Sequence, residues 1–160
     1  MIKTERFFLR KLEEKDATVR YLSWFSDPVV TQFIESTPKS LSEIKLFIAE
    51  KLQDDNALLL GIFTHDGEHI GNIKFEPITL EKNYAALGIL IGQIEWRGKK
   101  VSQEVINASC DYLKQEFGIT HFCLGVAKEN VPAIKAYEKL GFSKSTTDLR
   151  DSLYVMDKYL

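Results

Sequence analysis

The chain lacks the features that mark several protein classes. Its two cysteines, Cys110 and Cys123, have no CxxC spacing, so they indicate neither a disulfide framework nor a zinc site. No apolar run approaches the roughly 18 residues of a membrane span. The first residues, MIKTERFFLRKL, carry charges where a signal peptide needs its apolar stretch. We therefore expect a cytoplasmic protein with reduced, buried thiols and no membrane partner.

The chain also lacks an excess of one charge. Its net charge is -2 and its isoelectric point is near 6.0, whereas nucleic-acid-binding domains normally present a basic face. We expect no nucleic-acid partner. There is no repeat, low-complexity tract or linker, and 160 residues suit one domain, residues 1–160, that buries about 70% of its unfolded surface.

Positive charge is instead local, in the stretch IGQIEWRGKKVSQEVI of residues 91–106. An apolar run ends there in a turn that contains Arg97, Gly98, Lys99 and Lys100, and a helical pattern follows. A helix N-terminus presents unpaired N–H groups and a positive dipole end, which together suit an anion. The stretch predicts a phosphate site, and the alternative is a solvated basic turn that only begins a helix.

Periodicity and turn signals place the remaining elements. A short strand comes first, two helices are separated by Asp27-Pro28, and Ser40 with Glu43 forms a capping box for a third. A hairpin follows around Asp66-Gly67, and strands then alternate with helices. The predicted strands cover residues 6–12, 57–64, 69–78, 84–91, 119–126 and one or two segments after 142, and the helices cover 14–25, 29–34, 40–53, 101–117 and 130–140. This order predicts an α+β domain.

A second motif lies near the C-terminus, where Asn130, Ala133, Tyr137, Gly141 and Phe142 follow the pattern N-x-x-A-x-x-x-Y-x-x-x-G-F. With the strand, basic turn and helix before it, this motif resembles the GCN5-related N-acetyltransferase (GNAT) superfamily over nearly the whole chain. The resemblance implies a mixed, mostly antiparallel sheet with helices on both faces. It also implies that the sheet is splayed between its fourth and fifth strands, residues 84–91 and 119–126.

The early stretch YLSWFSDPVVTQFIE further resembles the branch that acetylates ribosomal-protein N-termini, and relatives that act on amino-sugar nucleotides and other amines. By this resemblance Trp24, Phe33 and Glu35 lie on the substrate-facing side. The acceptor stays open between a protein N-terminus, an amino-sugar nucleotide and another small amine. A homodimer is compatible with the exposed edge of such a sheet.

The resemblance implies that acetyl-CoA is the cofactor. In the family a Q/R-x-x-G-x-G/A turn holds the pyrophosphate by its amides, and here Arg97 takes the first position while Lys100 and Ser102 stand at the two small ones. A Cβ at Lys100 would stand where the backbone should approach phosphate closely. The implied cofactor residues are Leu90, Ile91 and Gly92 by their backbone, Arg97, Gly98, Lys99, Lys100, Val101 and Ser102 in the turn, and Asn130, Ala133 and Tyr137 on the last helix.

The implied reaction is direct attack of an amine on the thioester in a ternary complex. Tyr137 is the candidate general acid, and its alternative is a packed aromatic on an apolar helical stripe. Asn130 either steadies the pantetheine arm or only caps the helix. Many relatives of the branch carry a general-base Glu where Ala86 stands here. Glu76 on the neighbouring strand is the first substitute and Glu35 the second, and the alternative for Glu76 is an exposed strand carboxylate.

Two other functions remain open. One is a non-catalytic acyl-CoA-binding sensor, suggested by Lys100, Ser102 and Ala86, and the other is transfer of a different acyl group. His65 and His69 flank a hairpin turn without acidic or thiol support, so we expect no metal site.

Overall fold

The computed structural model describes residues 1–32, 34 and 36–160. Its centre is an eight-stranded sheet in the order β1-β2-β3-β4-β5-β6-β8-β7. The strands are β1 Ile2–Lys3, β2 Phe7–Lys11, β3 Leu58–Thr64, β4 His69–Thr79, β5 Tyr84–Ile91, β6 His121–Ala127, β7 Ser143–Leu149 and β8 Leu153–Tyr159. The helices are α1 Val19–Ser23, α2 Pro28–Thr31, α3 Leu41–Gln53, α4 Val101–Phe117 and α5 Val131–Lys139.

The sheet is mixed, and its parallel pair lies between β5 and β6. These two strands are in register from Tyr84 opposite His121 to Ala86 opposite Cys123, after which β6 continues its ladder with β8. The other neighbouring strands run antiparallel. The predicted splay between these two strands is therefore confirmed, although they are the fifth and sixth because Ile2–Lys3 forms a short strand without a sequence pattern of its own.

Helices cover both faces of the sheet, as predicted. On one face α4 and α5 pack their apolar stripes against inward residues of the central strands; the core there includes Val105, Ile106, Cys110, Ile134, Ile73, Phe75 and Phe122. On the other face α1 and α3 form a second cluster that includes Tyr21, Ile44, Ile48, Leu59 and Phe63. Strand β3 supplies both clusters, Leu60 and Ile62 to the first and Leu59 and Phe63 to the second, because successive side chains point to opposite faces.

Local signals explain several helix ends. The Ser40 hydroxyl accepts the backbone N–H of Glu43 at the start of α3. Gly118 ends α4 with φ of 70°, the left-handed conformation that glycine adopts without a steric cost. The side chain of Asn130 caps α5 by accepting the N–H of Ala133.

The predicted helix over residues 14–25 is wrong as a continuous element. It divides into a 3-10 turn at Glu14–Asp16, the short helix α1 and a second 3-10 turn at Trp24–Ser26. Asp16 makes a two-point ion pair with Arg10 and accepts the Glu13 N–H, and Thr18 then begins α1 by capping Tyr21. Side-chain bonds of this kind compete with a continuing helix.

Within the described residues, none of the helices combines the length and the apolar character needed to cross a bilayer.

Candidate active site

A groove opens where β5 and β6 separate. It has a volume of about 750 Å³ and is lined by both diverging strands, the turn before α4 and the first turns of α5. We call it the splay groove; it includes Leu87 to Ile91, Arg97, Gly98, Lys100 to Gln103, Leu124 to Ala127, Asn130, Ala133 and Tyr137. The structure thus brings the basic turn and the C-terminal motif, about 30 residues apart in sequence, to one site.

The backbone of β5 supplies N–H groups to this groove. The Gly92 N–H donates to the Ile70 carbonyl over 2.9 Å, and the register with β4 continues unbroken back to Leu90. Hydrogen-bonded pairs recur at every second residue of an antiparallel ladder, so the N–H of Leu90 also points toward β4. The N–H groups of Ile89 and Ile91 then point toward β6 and the groove. Of the segment Leu90 to Gly92 expected at the thioester, Ile91 therefore directs its N–H group to the groove, whereas those of Leu90 and Gly92 point to β4.

The turn before α4 has the backbone geometry of a glycine-rich loop. Gly98 has φ of 71° and Lys100 has φ of 61° and ψ of 27°, so both are left-handed. Lys100 therefore adopts the conformation that a glycine would adopt at this position, at a cost of roughly 1–2 kcal/mol for a residue with a Cβ. Amides of the first helical turn, at Val101 and Ser102, have no intrahelical acceptor and lie at the groove.

Arg6 braces this turn from outside. Its Nη2 donates to the Lys99 carbonyl over 3.0 Å, and its Nε pairs with Glu104 Oε1 at 2.8 Å in the first turns of α4. The Lys99 ammonium in turn lies 5.7 Å from the centroid of the Trp96 ring. Sequence reasoning missed Arg6 and Glu104, because 98 residues separate them and neither belongs to a local motif.

Arg97 lies at the groove, but its guanidinium contacts protein groups. Nη1 pairs with Asp27 Oδ2 at 2.8 Å, Nη2 donates to the Gly92 carbonyl at 3.1 Å, and Nε donates to the Ile91 carbonyl at 3.4 Å. The hydrogen bond from Arg97 lowers the pKa of the Asp27 carboxyl. This residue therefore ties the end of β5 to the start of α2, in contrast to the expectation of a direct phosphate contact.

On α5 the three motif residues face the groove together. Asn130 holds the helix start through a 3.4 Å contact from the Ala133 N–H to its Oδ1, and Tyr137 lies two turns further along. Burial raises the pKa of the Tyr137 hydroxyl, so the group stays protonated across the neutral range. Its ring meets Phe142 edge-on, with centroids 6.2 Å apart. Tyr137 is thus both packed and placed at the groove.

Glu76 is poorly placed to act as a base. Its Oε1 pairs with Lys51 at 2.9 Å and its Oε2 with Lys74 at 3.3 Å. Burial alone would raise the pKa of this carboxyl, but the hydrogen bonds from the two lysines outweigh burial and lower it. A carboxylate held in two ion pairs with a lowered pKa is a weak proton acceptor, and Glu76 lines neither the splay groove nor the cavity on the other face of the sheet, which argues against Glu76 as general base.

Trp24 belongs to the core. It is 2% exposed, its Nε1 donates to Gln93 Oε1 over 2.7 Å, and its ring packs beside Tyr21. The expectation that its side chain contacts the acceptor is wrong, because the ring fills space under the end of β5. Phe33 and Glu35, the other two residues expected at the acceptor, lie outside the described residues.

A second cavity of about 590 Å³ lies on the other face of the sheet, against α1 and α3. We call it the acceptor pocket; its lining includes Tyr21, Phe25, Glu43, Ile44, Phe47, Leu59, Asn72 and Lys74. It shares Ile34, Gly88, Ile89 and Leu90 with the splay groove. The two cavities therefore meet along β5. Sequence reasoning missed Tyr21, Asn72 and Lys74, because their common position depends on the strand register.

In the part of the chain that the structure describes, no group of three or more His, Cys, Asp or Glu side chains is arranged to hold a metal ion.

The profile of the "Acetyltransferase (GNAT) domain" matches residues 6–143. The chain belongs to this GNAT acetyltransferase family. An uncharacterized N-acetyltransferase, p20, from Bacillus licheniformis is 31% identical over 146 residues, which cover 88% of this chain and 81% of p20. The GNAT protein described here is accordingly an N-acetyltransferase.

Solved structures agree on the GNAT fold. A provisionally assigned ribosomal-protein-serine acetyltransferase from Vibrio cholerae superposes with a TM-score of 0.83 at 18% identity, covering 99% of this chain and 97% of that one. A dodecameric spermidine N-acetyltransferase from Vibrio cholerae gives a TM-score of 0.77 at 20% identity, covering 96% and 94%. At these identities the likeness establishes the fold, and GNAT proteins generally take the acetyl group from acetyl-CoA.

Proposed function

We propose that this protein transfers an acetyl group from acetyl-CoA to a primary amine, by direct attack within a ternary complex. The observation that carries the proposal is the meeting of two cavities at Gly88, Ile89 and Leu90. A donor in the splay groove and an acceptor in the second pocket would approach each other across the same short segment of β5. Holding both reactants in one geometry is itself a large part of such catalysis.

The groove suits acetyl-CoA in three places. The first-turn amides of α4, with the left-handed Gly98 and Lys100 before them, suit the pyrophosphate. Asn130 and Ala133 line the path of the pantetheine arm. The N–H groups of Ile89 and Ile91 would polarise the thioester carbonyl without any side chain. Because Lys100 already has glycine-like geometry, its departure from the family pattern does not distort the turn.

Acetyl-CoA would supply the acetyl group as a thioester, whose carbon–sulfur bond breaks as the amine nitrogen forms the new carbon–nitrogen bond. We assign Tyr137 as the donor of the proton that the departing thiolate takes up. Its raised pKa keeps the hydroxyl protonated until that moment, and solvent then returns the proton. The proton lost by the amine passes to solvent.

The amine must be neutral to attack, and Glu76 is not available to deprotonate it. Lys74 offers a different contribution, because it lines the acceptor pocket. A positive charge near a bound ammonium disfavours the charged form and lowers its pKa. A larger fraction of the bound acceptor would then be neutral at a given pH.

The proposal includes a relation to the branch that acetylates ribosomal-protein N-termini. The residues that carry this resemblance support the fold around the site. The stretch that carries this resemblance uses Trp24 to pack under Gly92 and Asp27 to hold Arg97. These contacts support the end of β5 and do not identify an acceptor. A protein N-terminus, an amino-sugar nucleotide and a small amine are all acceptors that the proposal includes.

Location and assembly complete the proposal. Cys110 is buried and Cys123 half-buried, and both are free thiols, which suits the reducing cytoplasm. The dodecameric relative supports self-association of this chain as well, as a homodimer or larger homo-oligomer. Light scattering of the purified protein measures its molar mass, and a monomer at the concentration of the activity assay would contradict the proposed self-association.

Two measurements test the function. Thermal unfolding is followed with and without acetyl-CoA, and thiol release is then measured with a panel of amines. Stabilisation with amine-dependent thiol release is the expected result. Stabilisation without release with any amine would favour a non-catalytic sensor, and absence of stabilisation would contradict both functions.

A matched pair of variants locates the cofactor. Ser102→Glu places a carboxylate in the first turn of α4 and should weaken acetyl-CoA binding by repelling the pyrophosphate. Ser102→Ala restores a small family-like residue and should bind at least as well as the parent. Equal binding by both variants would show that acetyl-CoA does not use this turn.

A further inference from the structure

Two polar side chains of β4 stand beside the opening between the cavities. The register places Asn72 directly opposite Leu90 and Lys74 directly opposite Gly88. As residues i and i+2 of one strand, Asn72 and Lys74 share the sheet face that the acceptor pocket covers, and both line it. Neighbouring strands are about 4.8 Å apart, so both side chains begin beside the segment of β5 on which the two cavities meet.

A hydrogen bond with His69 fixes the orientation of the Asn72 side chain. Its Oδ1 lies 2.7 Å from Nε2 of His69, and we assign the hydrogen to Nε2, which directs the amide N–H groups toward the Tyr21 hydroxyl and the pocket. Asn72 is 6% exposed and His69 8% exposed. The imidazole is enclosed by the aromatic rings of Tyr21, Trp24 and Phe63. His69 is thus a positioning residue for Asn72.

The charge around Lys74 favours an anion. Glu76 carries one negative charge between two lysines, Lys51 and Lys74, so this group of three has one positive charge in excess. Lys74 makes the longer of the two contacts. The described residues that line the pocket include two charged ones, Lys74 beside β5 and Glu43 at the start of α3, where the Glu43 carboxylate accepts the Lys39 backbone N–H.

The rest of the pocket is largely apolar. Phe25, Ile44, Phe47 and Leu59 form the wall against α1 and α3, and the Tyr21 hydroxyl adds a third hydrogen-bond donor. Burial raises the pKa of that hydroxyl to about 12, with an opposing contribution from Asn72, so it stays protonated. A polyamine offers these donors no acceptor atom, and beside Lys74 it adds positive charge to positive charge.

We infer that the acceptor is an apolar amino acid, an amine that carries a free carboxylate two bonds from its nitrogen and a large apolar side chain. The inference rests on the proposed function. Lys74 and the Asn72 amide bind the carboxylate, the aromatic wall takes the side chain, and the amine lies at Gly88. There is open space for the amine at this position, because nothing lies within 4 Å of a Cβ built on Gly88.

Three amines of one shape test the carboxylate. Thiol release from acetyl-CoA is measured with L-phenylalanine, with its amide, and with phenethylamine, which lacks the carboxylate; spermidine is the fourth acceptor. We expect kcat/KM for L-phenylalanine to exceed that for phenethylamine by about 10- to 100-fold, the range of a charge-assisted hydrogen bond. Lys74→Met should lower the value for L-phenylalanine by a clearly larger factor than the value for phenethylamine, because both acceptors lose the nearby positive charge and L-phenylalanine alone also loses its carboxylate partner. Lys45→Met, an exposed lysine of α3, is the matched control and should change neither.

Each other outcome is decisive. Equal rates for the amine and the amino acid, or a preference for spermidine, would overturn the inference and leave the acetyltransferase function intact. Equal rates for the amide and the acid would indicate a peptide N-terminus. If acetyl-CoA stabilises the protein and L-phenylalanine adds no further stabilisation or turnover, the inference also fails. Absence of stabilisation by acetyl-CoA would instead contradict the proposed function.

Discussion

The indole ring of Trp24 occupies the space beside Gly92 that any larger residue would need. A Cβ built on Gly92 would come within 2.0 Å of the ring. The contact fixes the end of β5 just beyond the N–H of Ile91, and the Arg97 guanidinium holds the same segment from its carbonyl side. A buried tryptophan from the early helices therefore sets the position of the strand on which both cavities meet.

Gly92→Ala is expected to destabilise the protein by about 1–3 kcal/mol, because neither the ring nor the strand can yield without displacing packed neighbours. Chemical denaturation measures the change in the free energy of unfolding. Gly125→Ala is the control for stability, since a Cβ at that position meets Leu153 at an ordinary 3.5 Å. Equal stability of the two variants would show that Trp24 does not pack against Gly92 in solution.

Lys100→Gly is expected to stabilise the protein. The left-handed conformation at φ of 61° costs a residue with a Cβ roughly 1–2 kcal/mol, and glycine removes this cost. Glycine also loses more conformational freedom on folding, which reduces the gain by about 0.5–1 kcal/mol. The net gain in the free energy of unfolding should be about 0.5–1 kcal/mol. Thermal or chemical unfolding measures it.

Lys99→Gly is the matched control for this substitution. Lys99 has no positive φ, and its ammonium lies over the Trp96 ring, so glycine there brings the entropic cost without relief of strain. We expect a loss of about 0.5–1 kcal/mol. A gain at position 99 as large as that at position 100 would mean that the turn is not strained.

Local sequence signals account for most of the fold. Gly118 and Asn130 mark helix ends through their own backbone and side-chain chemistry, and α4 and α5 begin and end close to where these signals predict. Residues 14–25 were mistaken for one helix because their apolar spacing is helical. The bonds that interrupt it join Asp16 to Arg10 on a strand, and periodicity carries no information on such a partner.

The residues of the candidate site likewise divide into those that belong to a short motif and those placed only by the strand register. The phosphate turn and Tyr137 have short motifs, so the sequence could indicate them. Asn72 and Lys74 have no motif, and their place beside Leu90 and Gly88 follows from the register of two strands. The sequence suggests Glu76 as a base because it does not show that two lysines, one of them 25 residues away, share its carboxylate.

Tyr137→Phe is expected to lower kcat by about 10²–10⁴-fold while the KM for acetyl-CoA stays nearly unchanged. The ring and its contact with Phe142 are preserved, so the proton alone is removed. Because burial raises the pKa of this hydroxyl, kcat of the parent should not decline through loss of that proton below about pH 10. Tyr112→Phe on α4 is the control and should retain full turnover. Unchanged turnover in Tyr137→Phe would remove the assigned role and leave a packing residue.

His69 makes the stability of the protein depend on pH. Burial lowers the pKa of its imidazole, with a partial offset from the Asn72 hydrogen bond, whereas an unfolded histidine titrates near pH 6.5. As the pH falls below about 6.5 the unfolded chain takes up a proton that the folded chain takes up only at lower pH. The free energy of unfolding should therefore fall, by at most about 1.4 kcal/mol per pH unit, until the folded pKa is passed.

Denaturant unfolding of the parent and of His69→Gln between pH 8 and pH 5 isolates this contribution. Glutamine does not titrate, so the variant should lose less stability across that interval than the parent, whatever its stability at pH 8. His65→Gln, at an exposed imidazole that contacts the Glu5 carbonyl, is the matched control, and its slope is measured beside the slope of the parent. If His69→Gln also kept that slope, the imidazole would not be buried in its neutral form, and the fixed orientation of Asn72 toward the acceptor would lose its support.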